Sequence, residues 1–404
     1  MKVLQINSTV VFGSTGRITN NIGDYLIENG NQSFIAFGRN SGKSNSQLIK
    51  IGNKIELLIH LIGSKLLDKH GLFSSFSTKK LINKIKIINP DIIHLHNIHG
   101  YYLNYSILFD YLNSTNIPIV WTFHDCWPFT GHCSYYERIN CEKWKSQCHN
   151  CELLKLYPSS LFVDNSKFNF ILKNKKFTQN SNIEIVTVSQ WLANQVKLSF
   201  FKNNHIQTIY NGMNLNIFKI KEVNKLKDDS KFQGKKIVLG VANEWSEGKG
   251  FQKFIEIRKL LSDDYVIVLI GLNQNQLAQL PDGIIGMGRL SSLDLLVNYY
   301  NLADVFVTPS LAETFGMVVA ESLSCGTPAI VNNSSALPEL IDNEVGDICY
   351  SNEAFEYVEK IQRITSIGKL HFTAKCRKKA ENLFDNKNQL NFYYELYNKL
   401  LKSK

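Results

Sequence analysis

No run of about eighteen uncharged apolar residues occurs in the 404-residue chain, so no segment reads as a membrane-spanning helix. The longest apolar stretch, Ile55 to Leu67, is broken by Glu56, His60 and Lys65. The chain opens as a strand, Lys2–Ile6, and turns polar at Asn7 and Ser8. It lacks the continuous apolar core of a secretory signal. A cytoplasmic location is therefore expected. No Asp-x-Asp triplet is present, which removes the compact carboxylate pair that hard divalent cations favour. No repeat of solenoid period is evident. The lysines carry no recognised nucleic-acid motif, so no nucleic-acid partner is expected.

What is there fits a globular protein of two domains. Apolar residues make up 44% and charged residues 20%, and 404 residues exceed one ordinary core. The net charge of +10 invites anionic partners. A phosphorylated small substrate and the anionic inner face of a cell membrane both qualify, and so does a plain solvated basic surface. The basic residues are scattered, with small clusters at Lys79-Lys80, Lys84-Lys86 and Lys173 to Lys176.

Short, nearly continuous apolar runs read as buried parallel strands. In the first half they are Lys2–Ile6, Ser33–Phe37, Asp91–Leu95, Ile117–Phe123 and Ile183–Ser189. Helical periods lie between them at Arg17–Asn29, Thr78–Ile88 and Tyr102–Asn113, and Gly30 stops the first. The second half repeats this grammar. Its strands read as Lys236–Val241, Tyr265–Ile270, Gly283–Met287, Val305–Thr308, Ala329–Val331 and Asp347–Cys349. Its helices read as Phe251–Leu261, Ser291–Asn301, Gly316–Ser324 and Glu353–Ile367. Polar residues Lys219 to Lys235 read as a linker, and Asp385–Lys404 as a final helix. The fold class is α/β, with two doubly wound, Rossmann-like domains.

Residues 309 to 328 carry the most chemistry. Glu313 and Glu321 stand eight positions apart around Phe315-Gly316, between an apolar strand and a helix that Gly326 ends. The amides of Gly316, Met317 and Val318 are the first-turn donors of that helix, which suit an anion such as phosphate. Flanking carboxylates accept hydrogen bonds from sugar hydroxyls. This segment resembles the E-x7-E signature of retaining glycosyltransferases of the GT-B fold, in particular glycosyltransferase family 4.

The resemblance implies a GT-B architecture, two Rossmann-like domains facing across a cleft. An acceptor domain is expected at 1–215, with a Cys-rich insertion at about 126–151. A nucleotide-sugar domain is expected at 216–384, and a helix at 385–404 crossing back to the first domain. The implied activity is retaining transfer of a sugar from a nucleoside-diphosphate donor to a growing, lipid-linked, cell-surface polysaccharide. By position, Glu313 would contact the donor sugar and Glu321 the ribose. The junction Gly13-x-x-Gly16-Arg17 matches the family's first loop, which reaches toward the diphosphate and acceptor. His124, ending a strand in Trp-Thr-Phe-His-Asp-Cys-Trp-Pro-Phe, matches the strand-end histidine beside the transferred sugar. Lys249 matches the cation that neutralises the leaving diphosphate. Leu337-Pro338-Glu339-Leu340 and Tyr210-Asn211-Gly212 also fit the family.

One position departs from the pattern. The family usually carries an arginine six residues before the lysine, and Asn243 stands there. Arg17 and Arg289 are candidates to replace that charge. The departure fits a subgroup of bacterial polysaccharide, colanic-acid-type enzymes. No catalytic metal is expected, since Lys249 and amides can hold the phosphates.

Cys133, Cys141, Cys148 and Cys151 have the spacing of a four-cysteine structural zinc site, with His132 and His149 as alternative ligands. Unligated thiols and disulfides are the other readings, the last disfavoured in a reducing compartment. Three other functions share the architecture: a sugar-nucleotide epimerase, a glycan phosphorylase, and a catalytically silent glycan- or nucleotide-binding protein. His94 and His96, one strand before His124, suit either the acceptor side or buried hydrogen bonding.

Overall fold

The computed structural model describes residues 1–180, 182–223 and 228–402. It divides into two compact units, Met1–Ile209 with Gln389–Lys404, and Tyr210–Asn388. The linker read at 219–235 includes residues 224–227, which lie outside the described residues.

The first unit is a seven-stranded, all-parallel sheet in the order β3-β2-β1-β4-β5-β6-β7. Its strands are β1 (Lys2–Asn7), β2 (Gln32–Phe37), β3 (Gln47–Lys50), β4 (Ile92–Leu95), β5 (Ile119–Phe123), β6 (Ile183–Thr187) and β7 (Ile206–Thr208). The helices are α1 (Gly13–Glu28), α2 (Lys54–Leu67), α3 (Ser75–Ile88), α4 (Tyr105–Leu112), α5 (Ser166–Phe177) and α6 (Gln190–Leu198). The two edge strands, β3 and β7, escape the periodicity because they are short, polar and only partly buried.

The second unit is a six-stranded parallel sheet in the order β10-β9-β8-β11-β12-β13. Its strands are β8 (Lys236–Val241), β9 (Tyr265–Ile270), β10 (Ile284–Met287), β11 (Val305–Thr308), β12 (Ala329–Asn332) and β13 (Gly346–Cys349). The helices are α7 (Phe251–Leu260), α8 (Gln274–Leu277), α9 (Leu293–Leu302), α10 (Met317–Ser324), α11 (Ala354–Ile367) and α12 (Lys369–Leu383). Central strands are buried on both faces: every residue of β9 and β11 is buried. That is why they read as unbroken apolar runs.

The last helix, α13 (Asn386–Lys402), packs on the first unit's sheet. Leu390, Tyr393, Leu396 and Tyr397 line one face and join Val3, Ile18, Ile22, Ile92, Val120 and Val186 in one core. Each fully buried side chain of this size contributes about 1.5–3 kcal/mol relative to exposure. The hydroxyls on this face find partners: Tyr397 meets His94 Nδ1 at 2.7 Å and Tyr393 meets Thr122 Oγ1 at 3.0 Å. In both sheets the loops at the carboxyl ends of the strands are where ligands bind in this architecture.

Candidate active site

In the second unit, the loops after three neighbouring strands of the sheet, β8, β11 and β12, are stitched together. The loop after β8 is anchored by Trp245, whose indole N–H donates to Ile270 O at 2.9 Å and whose ring meets Phe254 edge-on. It ends in a tight turn, Glu247–Lys249, that precedes α7. The loop after β11 lies against it: the Leu311 amide donates to Gly248 O at 2.9 Å. On the other side the loop after β12 closes in. The Glu313 amide donates to Ser335 Oγ at 2.7 Å, and the Ala336 amide to Glu313 O at 3.0 Å. Asn332 Nδ2 reaches Ser310 O at 3.2 Å.

This stitching brings Lys249 and Glu313, 64 residues apart in the chain, into an ion pair. The Lys249 side chain is 36% exposed and Glu313 16%, so both charges remain within reach of a ligand. Gly316 caps α10 with φ +101°, a conformation that side-chain-bearing residues rarely adopt. The Val319 and Ala320 amides donate back to Gly316 O, leaving Met317 and Val318 as the leading amides of the helix. Phe315 is buried between Tyr210 and Phe384, which fixes the entry to that turn.

Glu321 lies deeper. It is 6% exposed, and the buried Tyr300 hydroxyl donates to its Oε2 at 2.8 Å. Neither Glu321 nor its neighbour Tyr300 reads as a solvated helix residue, and the tyrosine partner gives no sequence signal. Asn243 is exposed on the loop after β8, and Arg289 is exposed just beyond β10. Tyr210 donates to Glu339 Oε2 at 3.1 Å, tying the start of the unit to the Leu337–Leu340 turn.

In the first unit, a row of histidines runs along the strand ends. His124 directly follows β5 and is 8% exposed. Its Nε2 lies 3.1 Å from His96 Nδ1, with the rings stacked, and His96 Nε2 lies 3.1 Å from Gln5 Oε1. His94 is held between Tyr397 and Thr122. Burial pulls His124 down to about 4, and the nearby Asp125 only partly opposes it. Burial also drives His94 and His96 well below the usual imidazole range. The row is therefore neutral at neutral pH, with tautomers set by its hydrogen bonds. Burial would raise the Asp125 carboxyl, but His99 at 2.9 Å and the Trp127 amide hold it below its ordinary value.

The first loop packs tightly on α1. The Val11 amide donates to Gly16 O at 3.0 Å, and a side chain at Gly16 would come within 2.8 Å of Thr9 Oγ1. Gly16 is thus needed for close approach of its own loop, while Arg17 is exposed beside it.

Cys133, Cys141, Cys148 and Cys151 line one cavity of about 20 Å³ together with His132 and His149. All four are free thiols. The Gly131 amide donates to Cys148 Sγ at 3.2 Å, and Cys133 shares a hydrogen bond with Cys151. That bond, with His132, brings Cys151 down to about 7. His132 is already engaged, its Nδ1 2.5 Å from the buried Asp68 carboxylate. Among the described residues no three His, Cys, Asp or Glu side chains are grouped so as to hold a metal ion.

Family comparisons cover both units. The model described as Glycosyltransferase Family 4 matches residues 15–217, half of the chain, and that described as Glycosyl transferases group 1 matches 222–383. The chain belongs to glycosyltransferase family 4. It is an enzyme of the GT-B fold. WcaC of Escherichia coli (strain K12), named for colanic acid biosynthesis, is 23% identical over 89% of this chain and 90% of its own length. A solved glycosyltransferase from Rickettsia africae superposes with TM-score 0.68 at 19% identity, covering 100% of this chain and 99% of its own. The Anabaena protein Alr3699/HepE, solved with UDP and glucose, gives TM-score 0.68 at 14% identity over 98% and 99% of the two chains.

Proposed function

We propose that this glycosyltransferase moves a sugar, with retention, from a nucleoside diphosphate to a growing lipid-linked polysaccharide, as in the colanic-acid-type subgroup. The observation that carries it is the Lys249–Glu313 pair beside the leading amides of α10. A diphosphate would take the Lys249 ammonium and the Met317 and Val318 amides. That would release the Glu313 carboxylate to accept hydrogen bonds from the donor sugar. Glu321, oriented by Tyr300, is assigned to the ribose. The bond from the anomeric carbon to the phosphate oxygen breaks, and the acceptor oxygen bonds that carbon on the same face. The acceptor's proton leaves with the diphosphate. Lys249 and the amides stabilise the negative charge that develops there.

His124, Gly16 and Arg17 of the first unit are assigned to the transferred sugar and the acceptor. His124, kept neutral by burial, can offer a hydrogen bond without adding a charge beside an electron-poor sugar. Supporting the donor class, Alr3699/HepE was solved with UDP-glucose. Supporting the acceptor class, WcaC is named for colanic acid biosynthesis. The test is a thermal-shift screen against UDP-, GDP-, ADP- and CMP-sugars, followed by transfer assays. A raised melting temperature with one donor class is expected. Epimerisation or hydrolysis of the donor without transfer would replace this reading with an epimerase. Binding without turnover would make the protein a silent binder.

We also propose that Cys133, Cys141, Cys148 and Cys151 take one structural zinc. Support comes from the four thiols facing one cavity and from the amide donated to Cys148, since soft sulfur ligands suit zinc. The metal would cross-link a segment whose regular structure is limited to short 3-10 turns. Elemental analysis of purified protein should find about one zinc per chain. A metal-free, fully folded preparation would reject it.

A further inference from the structure

A surface tyrosine ordinarily buries its ring and keeps its hydroxyl in water. Tyr157 in the first unit does the reverse. The residue is 45% exposed, yet its hydroxyl is engaged by the buried His99, at 3.0 Å from Nδ1. The ring is therefore what solvent meets. His99 Nε2 lies 2.9 Å from the Asp125 carboxylate, which also accepts the Trp127 amide at 2.9 Å. Asp125 is the chain neighbour of His124. The chain Tyr157–His99–Asp125 thus holds an exposed aromatic ring at a fixed place relative to His124.

A second ring makes a corner with it. Tyr101 stands 6.0 Å from Tyr157 between centroids, with the planes at 85°. Its φ is +69°, a left-handed backbone that a bulky residue rarely adopts, and such strain concentrates at functional sites. The surroundings enforce it. The preceding Gly100 also has positive φ, and its amide donates to His70 Nε2 at 3.2 Å. The His70 ring packs against that of Tyr101, 4.7 Å between centroids. On the other side Tyr102 lies so close to Gly38 that a Cβ there would fall 2.1 Å from it. Arg39 follows, and its amide donates to Ser8 O at 2.8 Å. Burial raises the Tyr101 and Tyr157 phenols, and the Arg39 charge opposes it in both, so the guanidinium borders the corner. Arg39 is exposed and, among the described residues, forms no ion pair.

We propose that Tyr101, Tyr157 and Arg39 form a subsite for the acceptor, and that it selects a pyranose bearing an anionic group. A pyranose presents a face of C–H bonds, which lies against an aromatic ring, and two rings set at a fixed right angle admit it in one orientation. A neutral sugar would use the rings and leave the guanidinium idle. Arg39 offers a planar fork of donors that matches a carboxylate or a phosphate. The anionic group is therefore a carboxylate on the sugar or a phosphate attached to it. The proposal rests on the transfer reading and narrows its acceptor class.

The test is saturation-transfer NMR of the full chain with the methyl glycosides of glucose, galactose and mannose, the matching methyl uronides and the matching sugar 1-phosphates. At least one acidic member should bind about 10-fold more tightly than its neutral counterpart, the gain from hydrogen bonds to a charged group. Preference for the uronides assigns Arg39 to a carboxylate, and preference for the 1-phosphates assigns it to a phosphate. Arg39→Gln should erase the preference and leave neutral binding unchanged. Tyr157→Ala should weaken neutral and acidic members alike, and Tyr157→Phe, which keeps the ring but frees it from His99, should fall between. Arg39 is exposed, so its variant decides if Tyr157→Ala unfolds. No binding by any member, equal binding of neutral and acidic members, or a preference that survives Arg39→Gln overturns the proposal. So does displacement of the uronide by a nucleoside diphosphate, which gives Arg39 to the donor. Donor-induced thermal shifts should be the same in all variants. Their absence beside intact acidic-sugar binding counts against the transfer reading alone.

Discussion

The two units are built by the same rule, yet their strand ends carry opposite electrostatics. The second unit sets out full charges, with Lys249 and Glu313 paired and part-exposed. The first sets out buried imidazoles, His94, His96 and His124, kept neutral by desolvation. In the proposed reading the first kind of end suits a diphosphate, which needs fixed cations and amides, and the second a reacting sugar, which is served by neutral hydrogen-bonding groups.

The largest expected effect tests the charged side. Lys249→Ala should lower kcat about 10²–10³-fold, the range for losing one preorganised stabiliser of developing charge, with the melting temperature unchanged. Glu313→Ala should leave transfer near background. Full activity in either variant would remove the charged half of the comparison.

The neutral side predicts a pH dependence of stability. His124 is held at about 4 and His60 at about 3, both by burial. Between those values and the unfolded value near 6.5, the unfolded chain binds more protons. Stability is therefore complete above about pH 6.5 and falls as pH drops, by about 1.4 kcal/mol per pH unit for each such histidine. Urea unfolding at successive pH values measures the slope. His124→Asn should reduce it by about one proton, and an unaltered slope would mean that His124 is not the neutral group described.

Removing the Tyr300 hydroxyl is a smaller perturbation. Tyr300→Phe removes a buried hydrogen bond to the Glu321 carboxylate and should cost about 1–3 kcal/mol of stability, read by chemical denaturation. The smallest effect is expected at Asn243. Asn243→Arg restores the family's charge on an exposed loop, where an ion pair is worth about 0.2–1 kcal/mol. Donor KM should fall only about 1.5- to 5-fold; a much larger gain would show that the site lacks a cation no other residue replaces.

Three strands buried in the second sheet were legible to the residue, whereas β4, β5 and β6, equally buried, are one or two residues shorter than read. Lys236–Val241, Tyr265–Ile270 and Val305–Thr308 stand as read, because parallel burial demands unbroken apolar runs. The edge strands β3 and β7 were not legible, since edge positions tolerate polar residues. Helix α2 was visible only as an interrupted apolar stretch. Its pattern has helical spacing, but the apolar face points to solvent, which spacing alone does not reveal. The acidic pair Glu313 and Glu321 stood out by its motif, whereas Tyr300 and the serine and asparagine bonds that hold the loops carry no motif.

The sequence by itself determined the residue types: apolar runs that must be buried in parallel sheets, a glycine where α10 needs positive φ, and acids and a lysine in family spacing. Those follow from local sterics and from the period of the hydrophobic pattern. Only the tertiary structure decided that Lys249 meets Glu313, that Glu321 is buried under Tyr300, that three histidines are neutral, and that α2 faces outward. Each of these depends on desolvation and on contacts between residues far apart in the chain, and neither is written in any short window of it.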